Sequence, residues 1–436
     1  MSKQAKQWGA IIVMIALFAM IAFVTNLCTP MATIIKNQGP ISDVLAQIGN
    51  YGNFIAYLIM GIPAGMLIAK YGYKKTALIG LVIGAIGILL QWVSGLMDVK
   101  DNLAAVFTVY LIGAFIAGIC MCILNCVVNP MLNLLGGGGN EGNKLIQIGG
   151  VFNSTAAVCC YILMGALIGD VTKAKIADAT PALMIALAIF VIAFIVLSFT
   201  KIEEPKQPKV EASLVKGALS YRHFALGALA IFLYMGIEVG VPNSSQFLLL
   251  NEGVPSATVG LIIAVYWFMM LIGRFVGAAI GSKISARTMI VSVSAATIAL
   301  ILFGMFAPAD VKVSFPGVDW SSLEIIWQPI SLGIFAFLLI GLCTSVMWGA
   351  IFNLAVEGLG KYTAIASGIF MTMVFGCAVM LAVEGAVADA CGYLNSFWVI
   401  LGCAAYILFY GLIGSRVSHK PTLEEKEEAT QILDAI

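Results

Sequence analysis

Charge and histidine are scarce in this sequence. Of its 436 residues only 10% are Asp, Glu, Lys or Arg, and only two are His. A soluble globular protein needs a more polar surface than this, so that class is excluded. The two histidines, His223 and His419, lie far apart, and we find neither metal-ligand spacing nor a Ser-His-Asp arrangement. We therefore predict no metal site and no enzyme.

A nucleotide-binding motif is also missing. The glycine run Gly136–Gly139 leads to Lys144 without the Gly-Lys-Ser/Thr ending of a phosphate-binding loop and without a preceding strand. We interpret the run as a flexible turn and expect no cofactor. The net charge is +1 and the basic residues lie near the ends of apolar runs, so nothing indicates nucleic acid binding. The ten cysteines lie almost entirely inside apolar runs, where we interpret them as small packing residues.

Apolar residues are abundant, at 61% of the chain, and the mean hydropathy is +1.02. Runs of about 20 apolar residues, enough to cross about 30 Å of hydrocarbon as a helix, recur along the chain. They predict an all-α membrane protein, with the bilayer as its surroundings. The twelve predicted spans are Trp8–Ile34, Ala46–Ala69, Thr76–Leu96, Leu103–Leu135, Leu145–Ile168, Ala182–Thr200, His223–Leu250, Ala257–Gly281, Met289–Phe306, Pro329–Val356, Thr363–Val387 and Leu394–Ser415.

Basic residues predict the orientation of these spans. Lys and Arg are concentrated in alternate loops, and the excess lies inside if the N-terminus is inside. Both termini are then cytoplasmic, and the inner membrane is the expected location. The basic start Met1–Gln7 resembles that of a signal peptide, but the following run is too long and lacks a small-residue cleavage pattern. We expect it to remain as the first helix.

The predicted spans fall into two groups of six. Lys201–Arg222 is the longest polar connection inside the cell and is interpreted as a linker. It divides the chain into an N-terminal six-helix bundle (1–200), the linker (201–222), a C-terminal six-helix bundle (223–416) and a tail (417–436).

A weak internal repeat supports two pseudo-symmetric bundles. Gly61 is followed by a basic turn at Lys75, and Gly273 is followed by one at Arg287. The offset is the same for both pairs, since 273 − 61 = 212 and 287 − 75 = 212. Parallel halves with sites at the midplane of their interface are a known transporter design.

Glu238 is a carboxylate in the middle of the apolar stretch Phe224–Leu250. A charge in a membrane interior is costly, so we predict that it is functional. The repeat offset places it opposite Asn26, since 238 − 212 = 26. An ion pair with Arg274 is the structural alternative. Counted from the cytoplasmic helix ends, Arg274 lies about two turns in and Glu238 about four, so we expect a direct pair to be strained.

Two coupling ions remain open for Glu238. A carboxyl group in apolar surroundings is suited to binding and releasing a proton. Together with Asn26 or Asn243 it would equally form an oxygen cage for sodium. A second carboxylate, Glu384, lies about one turn from the outer end of its span, close to Asp389, and we expect it to be solvated or to act in gating.

Several motifs resemble a known family. The stretch Gly65–Lys75 resembles the loop between helices two and three of the major facilitator superfamily, with Ala69 in place of the usual aspartate. Four further segments resemble its fucose permease and glucose/galactose transporter branch: Cys122–Pro130, Val151–Ser154, Gly273–Gly277 and Glu357–Thr363. This resemblance implies twelve helices in two bundles, alternating access and uptake of a small sugar, commonly with a proton.

The departures from that branch are informative. Fucose permease has acidic residues at the positions that correspond to Asn26 and Asn125. Both are amides in this chain, so Glu238 is the central carboxylate that remains for coupling. Its context, Gly236-Ile-Glu238-Val-Gly240, resembles the glucose/galactose side of the branch.

Amides and aromatic rings are the expected ligands of a sugar. By the resemblance, helices one, four, seven and ten line the cavity. Of the adjacent Tyr266 and Trp267 we expect only one to face it, and Trp348 is the expected stacking platform. The candidate site residues are Glu238 and Asn26 for cation coupling; Asn125, Asn129, Asn153, Asn243, Gln246, Tyr266, Trp267, Trp348 and Asn353 for the substrate; and Arg274, Lys74 and Lys75 for gating.

The sequence thus predicts a secondary transporter that takes up a neutral monosaccharide, a hexose or deoxyhexose, with a proton, and that acts as a monomer. A sodium-coupled or uncoupled facilitator of the same fold is the first alternative. A membrane sugar sensor is the second, although the tail 417–436 is short for an output domain.

Overall fold

The computed structural model of the protein describes residues 7–36, 43–97, 99–168, 175–202, 204, 213–308, 310–319 and 324–417. Almost all of these residues are helical, as predicted. The α-helices are α1 (Trp8–Lys36), α2 (Asp43–Tyr71), α3 (Tyr73–Leu96), α4 (Val99–Leu135), α5 (Gly139–Ile168), α6 (Thr180–Phe199), α7 (Ser213–Ser220), α8 (Arg222–Asn251), α9 (Ser256–Ile280), α10 (Ala286–Phe306), α11 (Leu332–Val356), α12 (Thr363–Thr372), α13 (Gly376–Cys391) and α14 (Phe397–Phe409).

The helices of the structure account for all twelve predicted spans, and eleven of the spans have the length and hydropathy of a membrane crossing. Within the described ranges, 11 helical segments are long and apolar enough to cross a membrane. The remaining predicted span, Leu145–Ile168, lies within α5, which has 30 residues. Positive φ angles of 81°, 72° and 52° at Gly137, Gly138 and Gly139 form the turn between α4 and α5, as the glycine run predicts.

A β-hairpin between α10 and α11 was not predicted. Strand β1 (Lys312–Asp319) pairs antiparallel with β2 (Glu324–Ser331). Pro316 and Pro329 obscured both strands in the sequence, because proline donates no ladder hydrogen bond. An isolated two-stranded ribbon has two free edges, so it accommodates both prolines. The tenth predicted span, Pro329–Val356, consequently corresponds to α11, which begins at Leu332 and not at Pro329.

The eleventh predicted span, Thr363–Val387, is not one continuous helix. A 3-10 turn at Met373–Phe375 separates α12 from α13. The same point divides two compact units of the fold. The first unit contains the described residues up to Tyr221 together with Val356–Phe375. The second contains Arg222–Ala355 and residues 376–417.

Glycines explain why α12 packs with the first unit. A Cβ atom added at Gly61 of α2 would lie 2.7 Å from the carbonyl oxygen of Gly368, and one added at Gly65 would lie 2.8 Å from that of Ala364. The absence of these side chains lets the α2 and α12 backbones approach closely. Gly273, the repeat counterpart of Gly61, allows the same approach in the second unit, where an added Cβ would lie 2.7 Å from Leu342 O.

The predicted linker 201–222 contains the short helix α7. Its glycine, Gly217, lies directly against the ring of Tyr362. The neighbouring Tyr221 ring is centred 5.8 Å from that of Tyr362. This part of the connection is therefore packed onto the first unit.

Candidate functional site

Glu238 and Arg274 form an ion pair inside the second unit. Arg274 Nη2 lies 3.8 Å from Glu238 Oε1, and the two side chains are 12% and 15% exposed. The sequence-based expectation that a direct pair would be strained was wrong. Glu238 lies near the middle of α8, as predicted, and Arg274 is its partner on α9.

The direction of helical side chains explains the error. Counted from the turn between α8 and α9, Glu238 lies 251 − 238 = 13 residues from Asn251, and Arg274 lies 274 − 256 = 18 residues from Ser256. The offset of five residues is about 7.5 Å along the axis. Side chains lean towards the N-terminus of their own helix. Glu238 therefore leans away from the turn and Arg274 leans towards it, so their charged ends converge.

A proline opens the backbone of α8 at Glu238. Pro242 has no N–H, so the carbonyl oxygen four residues earlier, that of Glu238, lacks its helical hydrogen bond. The hydroxyl of Tyr266 on α9 donates to this oxygen at 2.9 Å. Tyr266 thus ties α9 to the backbone of the same residue whose side chain pairs with Arg274.

Of the two adjacent aromatic residues on α9, the tyrosine is the internal one. Tyr266 is fully buried, and its hydroxyl also lies 3.2 Å from Thr344 Oγ1 on α11. Trp267 is 41% exposed, with its ring edge-on to Tyr266 at 5.3 Å. Burial thus distinguishes the two side chains, and that only one of them faces the substrate cavity stays a prediction.

The other predicted ligands of the second unit lie on α8 and α11. Trp348 is half-buried, and its ring is centred 6.2 Å from that of Tyr234, which also interacts with the Glu238 carboxylate. Asn353 is buried on the same helix as Trp348. Asn243 is half-buried and Gln246 is exposed, both beyond Pro242 on α8.

Glu384 corrects another expectation. Its position in the sequence predicted a solvated or gating carboxylate, but the side chain is only 1% exposed. Ser244 Oγ donates to its Oε2 at 3.3 Å. The carboxyl group lies directly over Gly240, where an added Cβ would collide with both oxygens. Gly240 and Ser244 are one turn apart on α8, and together they leave space for the carboxyl group and donate to it.

The polar centre of the first unit is built from amides. Asn125 of α4 donates to the Tyr57 hydroxyl at 2.7 Å and to Met121 O at 3.1 Å. Asn129, which is fully buried, donates to Asn125 O at 3.0 Å. These two predicted ligands therefore form one network with Tyr57, which sequence reasoning missed because nothing local shows which residue of α2 faces α4.

The remaining predicted amides of this unit are tied to α1. Asn153 of α5 donates to Phe18 O at 2.8 Å. Asn26 donates to Ala22 O, one turn earlier on its own helix, at 2.7 Å, and is half-buried. Neither is joined directly to the Asn125 network by these bonds.

A proline also opens the backbone of α4. Pro130 frees the carbonyl oxygen of Cys126, and Ser367 of α12 donates to it at 3.0 Å. The arrangement repeats that of Pro242 and Tyr266, with a hydroxyl from a neighbouring helix replacing the missing backbone donor.

Lys74 forms local structure in the first unit. Its Nζ donates to Ser198 O at 2.9 Å and to Thr200 O at 2.7 Å, so it satisfies carbonyl groups at the end of α6. Lys75 is exposed. Of the two lysines predicted to act in gating, Lys74 is therefore held by hydrogen bonds, whereas Lys75 extends into solvent.

Glu204 caps the start of α3. Its two carboxylate oxygens accept from the backbone N–H groups of Tyr73 and Lys74, each at 2.7 Å. A carboxylate is favourable at the positive end of a helix dipole. Gly72, with φ at 82°, leaves the space that the carboxylate occupies.

Similar proteins carry transport names. The chain is 29% identical over 426 residues to a "Glucose/galactose transporter" of Brucella abortus, covering 95% of this chain and 96% of the relative. It is 24% identical over 397 residues to the "L-fucose-proton symporter" of Escherichia coli, covering 84% of each.

Solved structures share the fold. A crystal structure of the E. coli fucose:proton symporter matches with a TM-score of 0.79 at 19% identity, covering 94% of this chain and all of that one. A proton:xylose symporter matches with a TM-score of 0.67 at 13% identity, covering 97% of this chain and 98% of that one.

A protein-family model also matches most of the chain. The model described as "Major Facilitator Superfamily" matches residues 10–383. The resemblance predicted from the motifs and the predicted fold class are thereby confirmed. The chain belongs to the Major Facilitator Superfamily, and it is a multi-pass membrane transporter and not an enzyme.

Proposed function

We propose that the protein imports a neutral monosaccharide, a hexose or deoxyhexose, by alternating access, and that a proton carried by Glu238 drives the uptake. The substrate class is supported by relatives named for glucose, galactose and fucose that match over most of their length. The proton is supported by the name of the fucose relative and by the chemistry around Glu238.

The observation that carries the proposal is the ion pair of Glu238 and Arg274. Two unit charges about 4 Å apart attract by about 4 kcal/mol at an effective dielectric constant of about 20. Binding of a proton to Glu238 removes this attraction, and release of the proton restores it. Glu238 is therefore attracted to Arg274 when it is ionised and not when it is protonated. A group that couples transport to a proton requires two such states.

Arg274 makes proton release possible in this scheme. A carboxylate without a counter-charge inside the spans is costly. With Arg274 3.8 Å away, the deprotonated side chain is stabilised, and the carrier returns without an unpaired negative charge. The role assigned to Arg274 from the sequence, a gate clamp, becomes that of a counter-charge on α9.

Pro242 couples the ion pair to the substrate. It separates Glu238 from Asn243 on α8, and a helix with an internal proline bends most easily there. Tyr266 holds the freed carbonyl of Glu238. A change in the charge of Glu238 alters the hold of α9 on this bend and so moves the residues beyond it.

Sugar recognition is assigned to amides and aromatic rings. Asn125 and Asn129 present a connected polar network, and Trp348 presents a ring face for the apolar side of a sugar. Asn153, Asn243, Gln246, Tyr266, Trp267 and Asn353 complete the proposed binding set, and Asn26 remains the proposed partner in coupling. Location in the inner membrane, cytoplasmic termini, a monomeric state and gating by Lys74 and Lys75 belong to the same proposal.

The test is sugar transport by purified protein in proteoliposomes. Counterflow against hexoses, deoxyhexoses, pentoses and amino sugars identifies the substrate. Accumulation of that sugar is then measured under an imposed proton gradient and, separately, under a sodium gradient. We expect Glu238→Gln to retain counterflow and to lose accumulation, because exchange requires no net proton movement.

The matched control is Glu252→Gln, since Glu252 is exposed just beyond the end of α8. It should accumulate sugar like the parent. Accumulation driven by sodium alone would remove the proton from the proposal. Equal accumulation by parent and Glu238→Gln would remove Glu238 from the coupling role. If the parent showed no counterflow of any sugar in the panel, the proposed substrate class would be wrong.

A further inference from the structure

A second carboxyl group that is not part of the Glu238–Arg274 pair lies inside the second unit. Glu384 of α13 is 1% exposed, and its oxygens rest on Gly240 of α8. Ser244 Oγ, one turn along α8, donates to Oε2 at 3.3 Å. The other oxygen, Oε1, has no hydrogen-bond partner among the described residues.

Among the residues that the structure describes, the groups that face Glu384 supply no positive charge. Cys377 on its own helix and Cys403 on α14 interact with it electrostatically, and both are buried free thiols. Cys377 also interacts with Glu238 of α8, an acidic group. Within the described ranges no lysine or arginine forms an ion pair with Glu384, whereas Glu238 has Arg274.

An ionised carboxylate is poorly accommodated in this setting. Burying an isolated charge costs far more than burying a neutral polar group, and a carboxyl group without a counter-charge avoids that cost by taking up a proton. One donor hydroxyl at 3.3 Å is a weak substitute for the several donors that stabilise a buried carboxylate. A neutral acid needs less: Oε2 accepts from Ser244, and the proton resides on Oε1.

We propose that Glu384 is a second proton-binding site, held as a neutral carboxylic acid against Gly240 in this conformation. Nothing about the site depends on the identity of the sugar. Release of its proton would leave a carboxylate with no counter-charge beside Gly240. Proton release therefore requires α13 to move relative to α8, so that the group reaches water. The site links its protonation to the packing of these two helices.

The position of Gly240 places this second site close to the first along α8. Gly240 follows Glu238 by two residues, so the two carboxyl groups are served by adjacent parts of one helix. Pro242 lies between Gly240 and Ser244. The turn of α8 that Pro242 opens is therefore flanked by contacts to α9 through Tyr266 and to α13 through Glu384.

Infrared spectroscopy of the purified full-length protein tests the proposal directly. A protonated carboxyl group has a carbonyl stretching band that a carboxylate lacks. At neutral pH we expect the parent to show such a band and Glu384→Gln to lose it. Glu252→Gln, with its exposed side chain, should leave the band unchanged. An identical acid band in parent and Glu384→Gln, or no acid band in the parent, would overturn the proposal.

Ser244→Ala provides a second arm if Glu384→Gln folds poorly. This substitution removes the hydroxyl that donates to Oε2, so the carbonyl band of Glu384 should move to higher frequency without losing intensity. A band that does not move assigns the signal to another acid. Glu238→Gln should retain the Glu384 band, so failure of the proposed sugar coupling and failure of this proton site give different results.

The pH dependence of stability gives a result that a purely packing role would not. If Glu384 is neutral in the folded protein and ionised in the unfolded one, the folded state binds more protons, and stability falls as pH rises. We expect thermal unfolding of the parent to shift down more than that of Glu384→Gln between mildly acidic and mildly alkaline buffer. Parallel shifts in both proteins would contradict the proposal.

Discussion

The two units use different chemistry for the polar groups inside their helices. In the first, Asn125, Asn129 and Tyr57 satisfy one another as neutral groups. In the second, Glu238 is paired with Arg274, and Glu384 lies beneath α8 with one hydroxyl partner. Neutral amides recognise hydroxyl groups without a change of state, whereas carboxyl groups change charge with the proton. This difference supports the proposal that Glu238 of the second unit carries the coupling proton, while the amides of the first unit contribute to sugar recognition.

Both units nevertheless satisfy the backbone next to a helix proline in the same way. Pro130 and Pro242 each free a carbonyl group, which accepts from Ser367 in one unit and from Tyr266 in the other. The repeat offset also relates Pro242 to Pro30, since 242 − 212 = 30. The halves have thus retained prolines four residues after positions 26 and 238 while the side chains there diverged to an amide and an acid. Four sets of substitutions test this contrast, in order of expected effect.

Removal of Arg274 should have the largest effect. Arg274→Ala leaves a buried carboxylate unpaired, and losing one partner of a buried pair costs about 3–5 kcal/mol. We expect the free energy of unfolding in detergent micelles to fall by about that amount. The double variant Glu238→Gln with Arg274→Ala should recover most of the loss. If both proteins lose the same stability, the pair contributes nothing and the contrast between the units fails.

Introducing an acid into the first unit should be the next most costly change. Asn125→Asp converts an amide that donates to Tyr57 and to Met121 O into a carboxylate that has no donor when ionised. We expect a loss of about 1–3 kcal/mol that diminishes at acidic pH, where the neutral acid donates again. The matched Asn26→Asp, at a half-buried position, should show a smaller dependence on pH in the same thermal unfolding assay.

The hydroxyl contacts at the two prolines should be similar in strength. Tyr266→Phe and Ser367→Ala should each cost about 1 kcal/mol, because each leaves a buried carbonyl group without a donor. In the Pro242→Ala background Tyr266→Phe should cost less, since the alanine N–H restores the helical bond. Pro130→Ala should relieve Ser367→Ala in the same way. Additive losses in these double variants would show that the hydroxyl groups do not replace the missing backbone donors.

The cap of α3 should have the smallest effect. Glu204→Gln removes the negative charge at the helix start and replaces one of the two accepting oxygens with an NH2 group that cannot accept. We expect a loss of about 0.5–1 kcal/mol, and added salt should reduce the part that is due to charge. Lys75→Met, at an exposed side chain, should leave thermal unfolding unchanged. A larger effect of Lys75→Met than of Glu204→Gln would indicate that the exposed lysine, and not the cap, stabilises this turn.

Glu238 was predictable because the rule that identifies it is local: a carboxylate in a long apolar run is costly wherever the helix packs. Its partner was not, because distance between two helices depends on their register and on side-chain direction. Counting residues from the helix ends placed Arg274 too far from Glu238, because the count ignores that the two side chains lean towards each other. Glu384 was misjudged for a similar reason, since proximity to a helix end in sequence does not reveal what covers the side chain.

Three partner residues, Tyr57, Ser244 and Ser367, could not be predicted from the sequence either. Each forms a hydrogen bond with a group that the sequence does indicate. Tyr57 accepts from Asn125, Ser244 donates to Glu384, and Ser367 donates to the carbonyl group that Pro130 leaves free. None is conspicuous by type or spacing. The hairpin Lys312–Ser331 was missed because its prolines argue against a strand unless the strand has a free edge.

The sequence alone determined the membrane class, the long apolar helices, the repeat and the unusual position of Glu238. These follow from composition and periodicity, because hydrocarbon requires every spanning segment to satisfy its own backbone. The tertiary structure decided which charges pair, which hydroxyl groups replace the donors that proline removes, and that Glu384 is buried. Those outcomes depend on contacts between residues distant in sequence, and small residues such as Gly61 and Gly240 determine how closely the helices that carry them approach.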